Sequence, residues 1–209
     1  SSSSTPPPPP TSSPSAPPPD EEAGIAEGLS DLAEAAAVHA DALASLISAG
    51  VFDGAGCGEG RLCPGEPILR WEMAVLMVRI LDGDDPSDAA AGSRFDDVGP
   101  SLWWAPFVER LAELGVTLGC RVEPARYCPF DPVTRGQTAS FLTRAFDLAE
   151  APSAGFVDAV GGAHEADIDA LAAAQITNGC RPQRFCPGES TSRQEMASFL
   201  HRASPPESP

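Results

Sequence analysis

The chain has 209 residues, with 13 basic against 30 acidic side chains and a formal net charge of -17. That balance argues against nucleic acid or an anionic membrane surface as partner, since either needs a basic footprint to neutralise phosphate. No apolar run approaches the ~20 residues that cross a bilayer, so no membrane insertion is expected. Apolar content of 42% is ordinary while aromatics reach only 6%, and Ala, Gly and Pro are abundant. A mainly α core of small side chains follows. Every basic residue is Arg, a usage that points to a GC-rich genome.

Residues 1–20 are almost wholly Ser, Thr and Pro. Such a stretch buries nothing and favours extended polyproline geometry, so it is expected to be a disordered spacer. The chain thus opens inside a linker, and the expectation is that an export signal and a further N-terminal domain precede it. From Ile25 the positions Ile25, Leu29, Leu32, Ala36, His39, Leu43 and Leu46 fall on one helical face. Gly28 and an Asp31-to-Glu34 capping pattern permit a break near residue 30. His39 reads as a core or boundary histidine. The acidic run Asp82-Gly83-Asp84-Asp85-Pro86-Ser87-Asp88 lacks the ligand order of an EF-hand and reads as a solvated loop, with no metal expected.

The strongest signal is a segment that occurs three times. It runs Arg61-Leu62-Cys63-Pro64 to Arg70-Trp71-Glu72-Met73, then Arg126-Tyr127-Cys128-Pro129 to Thr134-Arg135-Gly136-Gln137, then Arg184-Phe185-Cys186-Pro187 to Ser192-Arg193-Gln194-Glu195. In each copy the Cys precedes the Arg by seven residues. Fixed spacing of this kind marks one supersecondary unit used repeatedly. Ahead of the second copy, Phe95-Asp96-Asp97-Val98 leads to a helix with Trp104, Phe107, Val108, Leu111 and Leu114 facing inward and Gly115 ending it. A second helix begins at Arg135, with Phe141, Leu142, Ala145 and Phe146 on its buried side. Phe156-Val157-Asp158 and His164 take the corresponding places ahead of the third copy, whereas the first has no Phe-x-Asp lead-in. The expected boundaries are 21–85 for a divergent first repeat, 86–150 and 151–204 for the other two, and a flexible tail at 205–209.

Six cysteines form three close pairs, Cys57/Cys63, Cys120/Cys128 and Cys180/Cys186, one pair per copy. Equivalence of the copies selects pairing within each copy. A zinc site would need two such pairs brought together, so disulfides are the better reading, and they imply an oxidising, extracellular compartment. A bridge over so short a loop contributes about 2 kcal/mol by pinning the loop between helices.

Thr134-x-x-Gln137 and Ser192-x-x-Glu195 are capping boxes that open helices. The arginines beside them are less easily explained. A cation in the first turn faces the positive end of the helix dipole, at a cost of up to about 1 kcal/mol. Arg79, Arg144 and Arg202, nine residues later, sit where positive charge is favoured. Two explanations stand for Arg70, Arg135 and Arg193: an ion pair with Asp97, Asp158 or another internal carboxylate, or an anionic ligand held jointly by guanidinium and helix amides.

Phe95, Asp97, Val98, Trp104, Ala105, Leu111, Gly115, Val116, Tyr127, Pro129, Thr134, Arg135 and Gln137, echoed by Phe156, Asp158, Ile176, Phe185, Pro187, Ser192, Arg193 and Glu195, resemble the pattern of S-layer homology (SLH) domains. The resemblance covers about residues 31–203, and the cystines and Arg-only usage resemble actinobacterial versions of the family. It implies three helix-loop-helix repeats in a pseudo-threefold bundle, noncatalytic and needing no cofactor, whose grooves bind a secondary cell-wall polysaccharide, often through a pyruvylated sugar. It further implies Arg135, then Arg193 and Arg70, as ligand contacts, with Trp71, Thr134, Gln137, Glu195, Asp97 and Asp158 beside them. Of the tryptophans, Trp104 reads as core and Trp71 as the more open. Leu69 in place of a capping hydroxyl, and Gln137 in place of Glu, depart from the family pattern. No histidine accompanies a Ser or Cys nucleophile signature, so catalysis has no support. The competing function is a protein-interaction or S-layer-like assembly module in which the arginines satisfy internal carboxylates.

Overall fold

The computed structural model describes residues 29–58, 60–86 and 94–204. The expected spacer at 1–20, the tail at 205–209, the start of the helix expected from Ile25, and Ser87 and Asp88 of the acidic run lie outside the described residues. The described chain is mainly helical: α1 (Ala40–Ser48), α2 (Arg70–Asp82), α3 (Ala105–Glu113), α4 (Arg135–Ala145), α5 (Glu165–Ala173) and α6 (Arg193–Ala203). Its only β pairing among the described residues consists of isolated bridges.

The helix expected from Ile25 onward is shorter than its periodicity suggests. Two single 3-10 turns, Leu32–Glu34 and Ala37–His39, precede α1, and Ala35 and Ala36 between them are extended. Asp31 does not cap a helix. Its carboxylate instead accepts the N–H groups of Leu62 and Cys63 at 2.8 and 2.7 Å, which ties the segment to the first cystine loop. On α3, Phe107, Val108 and Leu111 point inward as expected, but Leu114 is exposed, because it forms the C-cap where the chain turns away.

The helices pack in three pairs: α1 on α6, α2 on α3, and α4 on α5. In each pair the helix that follows a cystine loop meets the first helix of a different copy. The N-terminal helix α1 therefore packs on the C-terminal helix α6. Leu43, Leu46, Met73, Leu76, Leu111, Leu142, Leu171 and Leu200 are among the side chains of one apolar core that the three pairs share.

The extended residues just ahead of α2, α4 and α6 close the centre. Leu69, Thr134 and Ser192, the N-caps, have ψ of 158°, 158° and 162°, so each helix starts from an extended segment. Ile68 N–H donates to Thr191 O at 2.9 Å, Thr191 N–H to Val133 O at 2.8 Å, and Val133 N–H back to Ile68 O at 3.0 Å. Three backbone hydrogen bonds thus form a closed cycle among the three copies. Ile68, Val133 and Thr191 are all completely buried, so this cycle satisfies groups that water cannot reach.

The cystines are Cys57–Cys63, Cys120–Cys128 and Cys180–Cys186, the within-copy pairing expected from the sequence. The second cysteine of each pair has positive φ, 49°, 57° and 60° respectively. A left-handed conformation is unfavourable for a side-chain-bearing residue and needs support from its surroundings. Part of that support is an aspartate beneath each loop.

Candidate functional site

The three aspartates do the same work. Asp97 accepts the N–H groups of Tyr127 and Cys128 at 2.8 and 2.9 Å, and Asp158 those of Phe185 and Cys186 at 2.9 and 3.0 Å. Asp31 makes the corresponding pair of bonds in the first loop. The first copy thus has its lead-in after all, as Leu29-Ser30-Asp31, with Leu where the others have Phe. Burial raises the Asp31 and Asp158 carboxyls, but the two amides, together with Arg61 and Arg184 respectively, outweigh it and hold both below the ordinary aspartate range. These carboxylates accept from successive backbone amides and do not pair with Arg70, Arg135 or Arg193.

The arginines that open α2, α4 and α6 are 4, 3 and 5% exposed. Each reaches across to the cystine loop of another copy. Arg70 Nε donates to Tyr127 O at 2.7 Å, Arg135 Nε to Phe185 O at 2.9 Å, and Arg193 Nη1 to Cys63 O at 3.3 Å. Their acidic partners are the third helical residues of the facing helix. Arg135 Nη1 lies 2.7 Å from Glu195, and Arg193 meets both oxygens of Glu72 at 2.9 and 3.0 Å. The guanidinium of Arg70 lies over the Tyr127 and Phe141 rings, and that of Arg135 over Phe185 and Phe199. An aromatic face and a carboxylate offset the unfavourable dipole position.

The junction of Arg70 is the exception. Gln137 holds the helix position that Glu195 and Glu72 hold at the other two; its Oε1 accepts from Thr134 N–H at 3.2 Å, and Arg70 Nη2 is buried without a hydrogen-bond partner among the described residues. Where the other two junctions hold an ion pair, this guanidinium has none among the described residues and is stacked on aromatic rings.

The helix-start amides are also committed. Arg70, Arg135 and Arg193 N–H donate to Asp131, Glu189 and Glu66 carbonyls, and Trp71, Gly136 and Gln194 N–H to those of Pro129, Pro187 and Pro64. Thr134 and Ser192 complete their capping boxes with Gln137 and Glu195. Leu69 has no hydroxyl, yet its N–H still donates to Glu72 at 2.8 Å. Glu72 therefore serves Leu69, Gly56 and Arg193 together.

Arg79, Arg144 and Arg202, at the far ends of these helices, also share one role. Their Nη1 groups donate to Val51, Val116 and Ile176 carbonyls, at the C-terminal end of the first helix of the same copy. Positive charge there satisfies orphan carbonyls and complements the dipole. In the acidic run, Asp85 pairs with Arg79 and Asp82 with Arg110, both at 2.7 Å.

Trp71 and Trp104 stack at 5.9 Å, and both are buried. The open aromatic is Trp103, 48% exposed and set edge-on to Trp71 and Phe107. Sequence reasoning passed over it because Trp104 holds the motif position. His39 is half-buried, with Nδ1 2.7 Å from Ser198 Oγ on α6. Its counterpart His164 lies 2.8 Å from Ser140 Oγ, which also donates to Asp167. Ser, His and Asp meet here, but both partners bind the serine itself, so the His-to-Asp link of a charge relay is not formed.

No curated protein matches the chain. Residues 94–119 match the S-layer homology domain family, a span that runs from Arg94 through Phe95, Asp97 and α3 to Gly119. The match supports the S-layer homology resemblance over that stretch, and S-layer homology domains are in general cell-wall anchoring modules.

Proposed function

We propose that the chain is a noncatalytic, secreted module that tethers a protein to the wall of a GC-rich bacterium by holding a secondary cell-wall polysaccharide. The observation that carries this reading is the S-layer homology match at 94–119, which falls on the lead-in and first helix of the second copy. In this reading 21–85, 86–150 and 151–204 are three helix-loop-helix repeats about a pseudo-threefold axis. The closed cycle through Ile68, Thr191 and Val133, and the equivalent roles of Asp31, Asp97 and Asp158, support that arrangement. The polysaccharide, anionic and of a pyruvylated kind, lies in the grooves between repeats. Arg70, Arg135 and Arg193, with Trp71, Thr134, Gln137, Glu195, Asp97 and Asp158, give those grooves their shape, and the guanidinium groups hold repeat to repeat. Cosedimentation with walls of the producing organism, before and after extraction of the nonpeptidoglycan polymer, tests this: pelleting should be lost with extracted walls. Equal pelleting with both preparations contradicts it.

A second reading, a protein-interaction or assembly module with no glycan ligand, is favoured by one observation. The motif arginines already satisfy Glu195 and Glu72 within the chain. Sedimentation equilibrium without glycan separates the two, since an assembly module self-associates and an anchor does not need to.

A further inference from the structure

Arg135 and Arg193 are paired with Glu195 and Glu72, which directs attention to cationic groups outside the helix starts. The cystine loops carry a second set of arginines, all exposed: Arg61, Arg121, Arg126, Arg181 and Arg184. The second and third loops read Cys120-Arg121 to Arg126-Tyr127-Cys128 and Cys180-Arg181 to Arg184-Phe185-Cys186. In both, the two arginines are directly opposed across an antiparallel bridge. Arg126 N–H donates to Arg121 O at 3.0 Å and Arg121 N–H to Arg126 O at 3.4 Å, and Arg184 and Arg181 repeat the same two distances.

Directly opposed residues of an antiparallel pair project their side chains from the same face, with Cβ atoms about 5 Å apart. Like charges so placed destabilise the hairpin. The chain has 30 acidic side chains with which to relieve this, yet Arg121 and Arg126 have no ion pair among the described residues. Among the described residues Arg181 and Arg184 have distant ones, to Glu189 at 3.7 Å and Asp158 at 4.0 Å. The first loop differs: Gly58 stands opposite Arg61, which has Asp31 at 3.6 Å and Glu34 at 3.8 Å.

We infer that the paired arginines Arg121/Arg126 and Arg181/Arg184 are two anion clamps, each receiving a phosphate or carboxylate group of a polymeric ligand between its guanidinium forks. The inference rests on the anchoring reading for the identity of that polymer as a wall glycan, but the clamps themselves do not. A guanidinium fork matches the two oxygens of such a group, and the cystine beneath each pair fixes the hairpin before binding, so little order remains to be imposed. The net charge of -17 disfavours polyanions over the chain as a whole, so binding needs a local concentration of cations such as these loops carry. The first loop, with one arginine already facing two acids, makes no clamp.

The test uses the whole chain with three probes: inorganic polyphosphate, polygalacturonate and neutral dextran, titrated at low ionic strength. Binding is expected to one or both polyanions and not to dextran, and the two polyanions distinguish phosphate from carboxylate. Arg121→Gln/Arg126→Gln and Arg181→Gln/Arg184→Gln should each weaken it about tenfold or more, the loss of at least one charge-assisted hydrogen bond. Their melting temperatures should change little, because the side chains are exposed and such ion pairs as they make are distant and solvent-screened. No polyanion binding by the native chain, or a fourfold Gln variant that binds as the native chain does, overturns the clamps. Wall cosedimentation separates this from the anchoring reading. If the fourfold variant pellets with walls as well as the native chain, the clamps fall and anchoring stands; if the native chain ignores walls but holds a polyanion through these pairs, anchoring falls and the clamps stand.

Discussion

Arg193 and Glu72, which lie 121 residues apart in sequence, meet through two hydrogen bonds of 2.9 and 3.0 Å. The two side chains are 6 and 1% exposed, so neither charge has water as an alternative partner. Removing one member of a buried pair strands the other, which typically costs about 3–5 kcal/mol. Arg193→Ala and Glu72→Ala should each lower stability by that amount in denaturant titration. Arg135→Ala should cost less through its ion pair, since the side chain of Glu195 is 30% exposed.

The junction of Arg70 should be improvable. Gln137 occupies the position that Glu72 and Glu195 hold elsewhere, and Arg70 Nη2 is left without a partner. Gln137→Glu should supply the missing carboxylate while keeping the capping bond to Thr134 N–H. A gain on the order of 1 kcal/mol is expected from satisfying a buried donor, read as a raised melting temperature. A fall in melting temperature would mean that the aromatic faces of Tyr127 and Phe141 already suffice.

The loop glycines should be intolerant of any side chain. Gly119 and Gly179 have φ of 83° and 84°, and a Cβ at either would sit 2.4 Å from the carbonyl oxygen of Arg126 or Arg184. That carbonyl accepts the N–H of the neighbouring cysteine, so it cannot move away without breaking the loop. Gly119→Ala and Gly179→Ala should each cost more than 1 kcal/mol by thermal melting, about the scale of backbone strain alone. At Gly60, with φ of 69° but nothing near its Cβ, alanine should cost less.

Acid should weaken the fold in two stages. Burial, followed by the charge of Arg202, holds His39 below the ordinary histidine value against the opposing pull of Glu195. A histidine with a depressed folded pKa contributes stability that is complete above its unfolded value, about 6.5, and is lost as pH falls through the folded value. The depressed carboxyls of Asp31 and Asp158 act in the same direction lower down, with stability present above about pH 4 and lost as pH falls through their folded values. Melting temperature should therefore decline first below about pH 6.5 and again below about pH 4. His39→Gln should remove the first decline and leave the second. A variant whose profile matches the native one would show that His39 contributes nothing to the pH dependence.

Much of the local structure was legible because it is encoded locally. Thr134-x-x-Gln137 and Ser192-x-x-Glu195 announced the starts of α4 and α6, and the equivalence of the copies announced the cystine pairing. The helix faces of α3 were readable from period alone, apart from Leu114 at its end. What the residues by themselves did not disclose was long-range. Asp31 has the look of a helix cap and serves as a loop anchor, and only its bonds to Leu62 and Cys63 show it to be the counterpart of Asp97 and Asp158. In the sequence Glu195 reads as a capping residue and ligand contact and Glu72 carries no assigned role, yet each reaches an arginine of another copy. Trp71 looked open beside Arg70 and is instead stacked on Trp104. A capping box satisfies the amides that its own helix leaves free; nothing in its sequence says which distant side chain completes the carboxylate.

The claim on which the account rests is that the arginines at the helix starts hold one copy of the motif to another. A double-mutant cycle on Arg193 and Glu72, read as unfolding free energy, tests it most directly. The expected result is a large coupling, of about 2 kcal/mol or more, with the Arg193→Ala/Glu72→Ala chain little worse than either single variant. Single variants that melt with the native chain, and add without coupling, would contradict it and return those guanidinium groups to an external ligand.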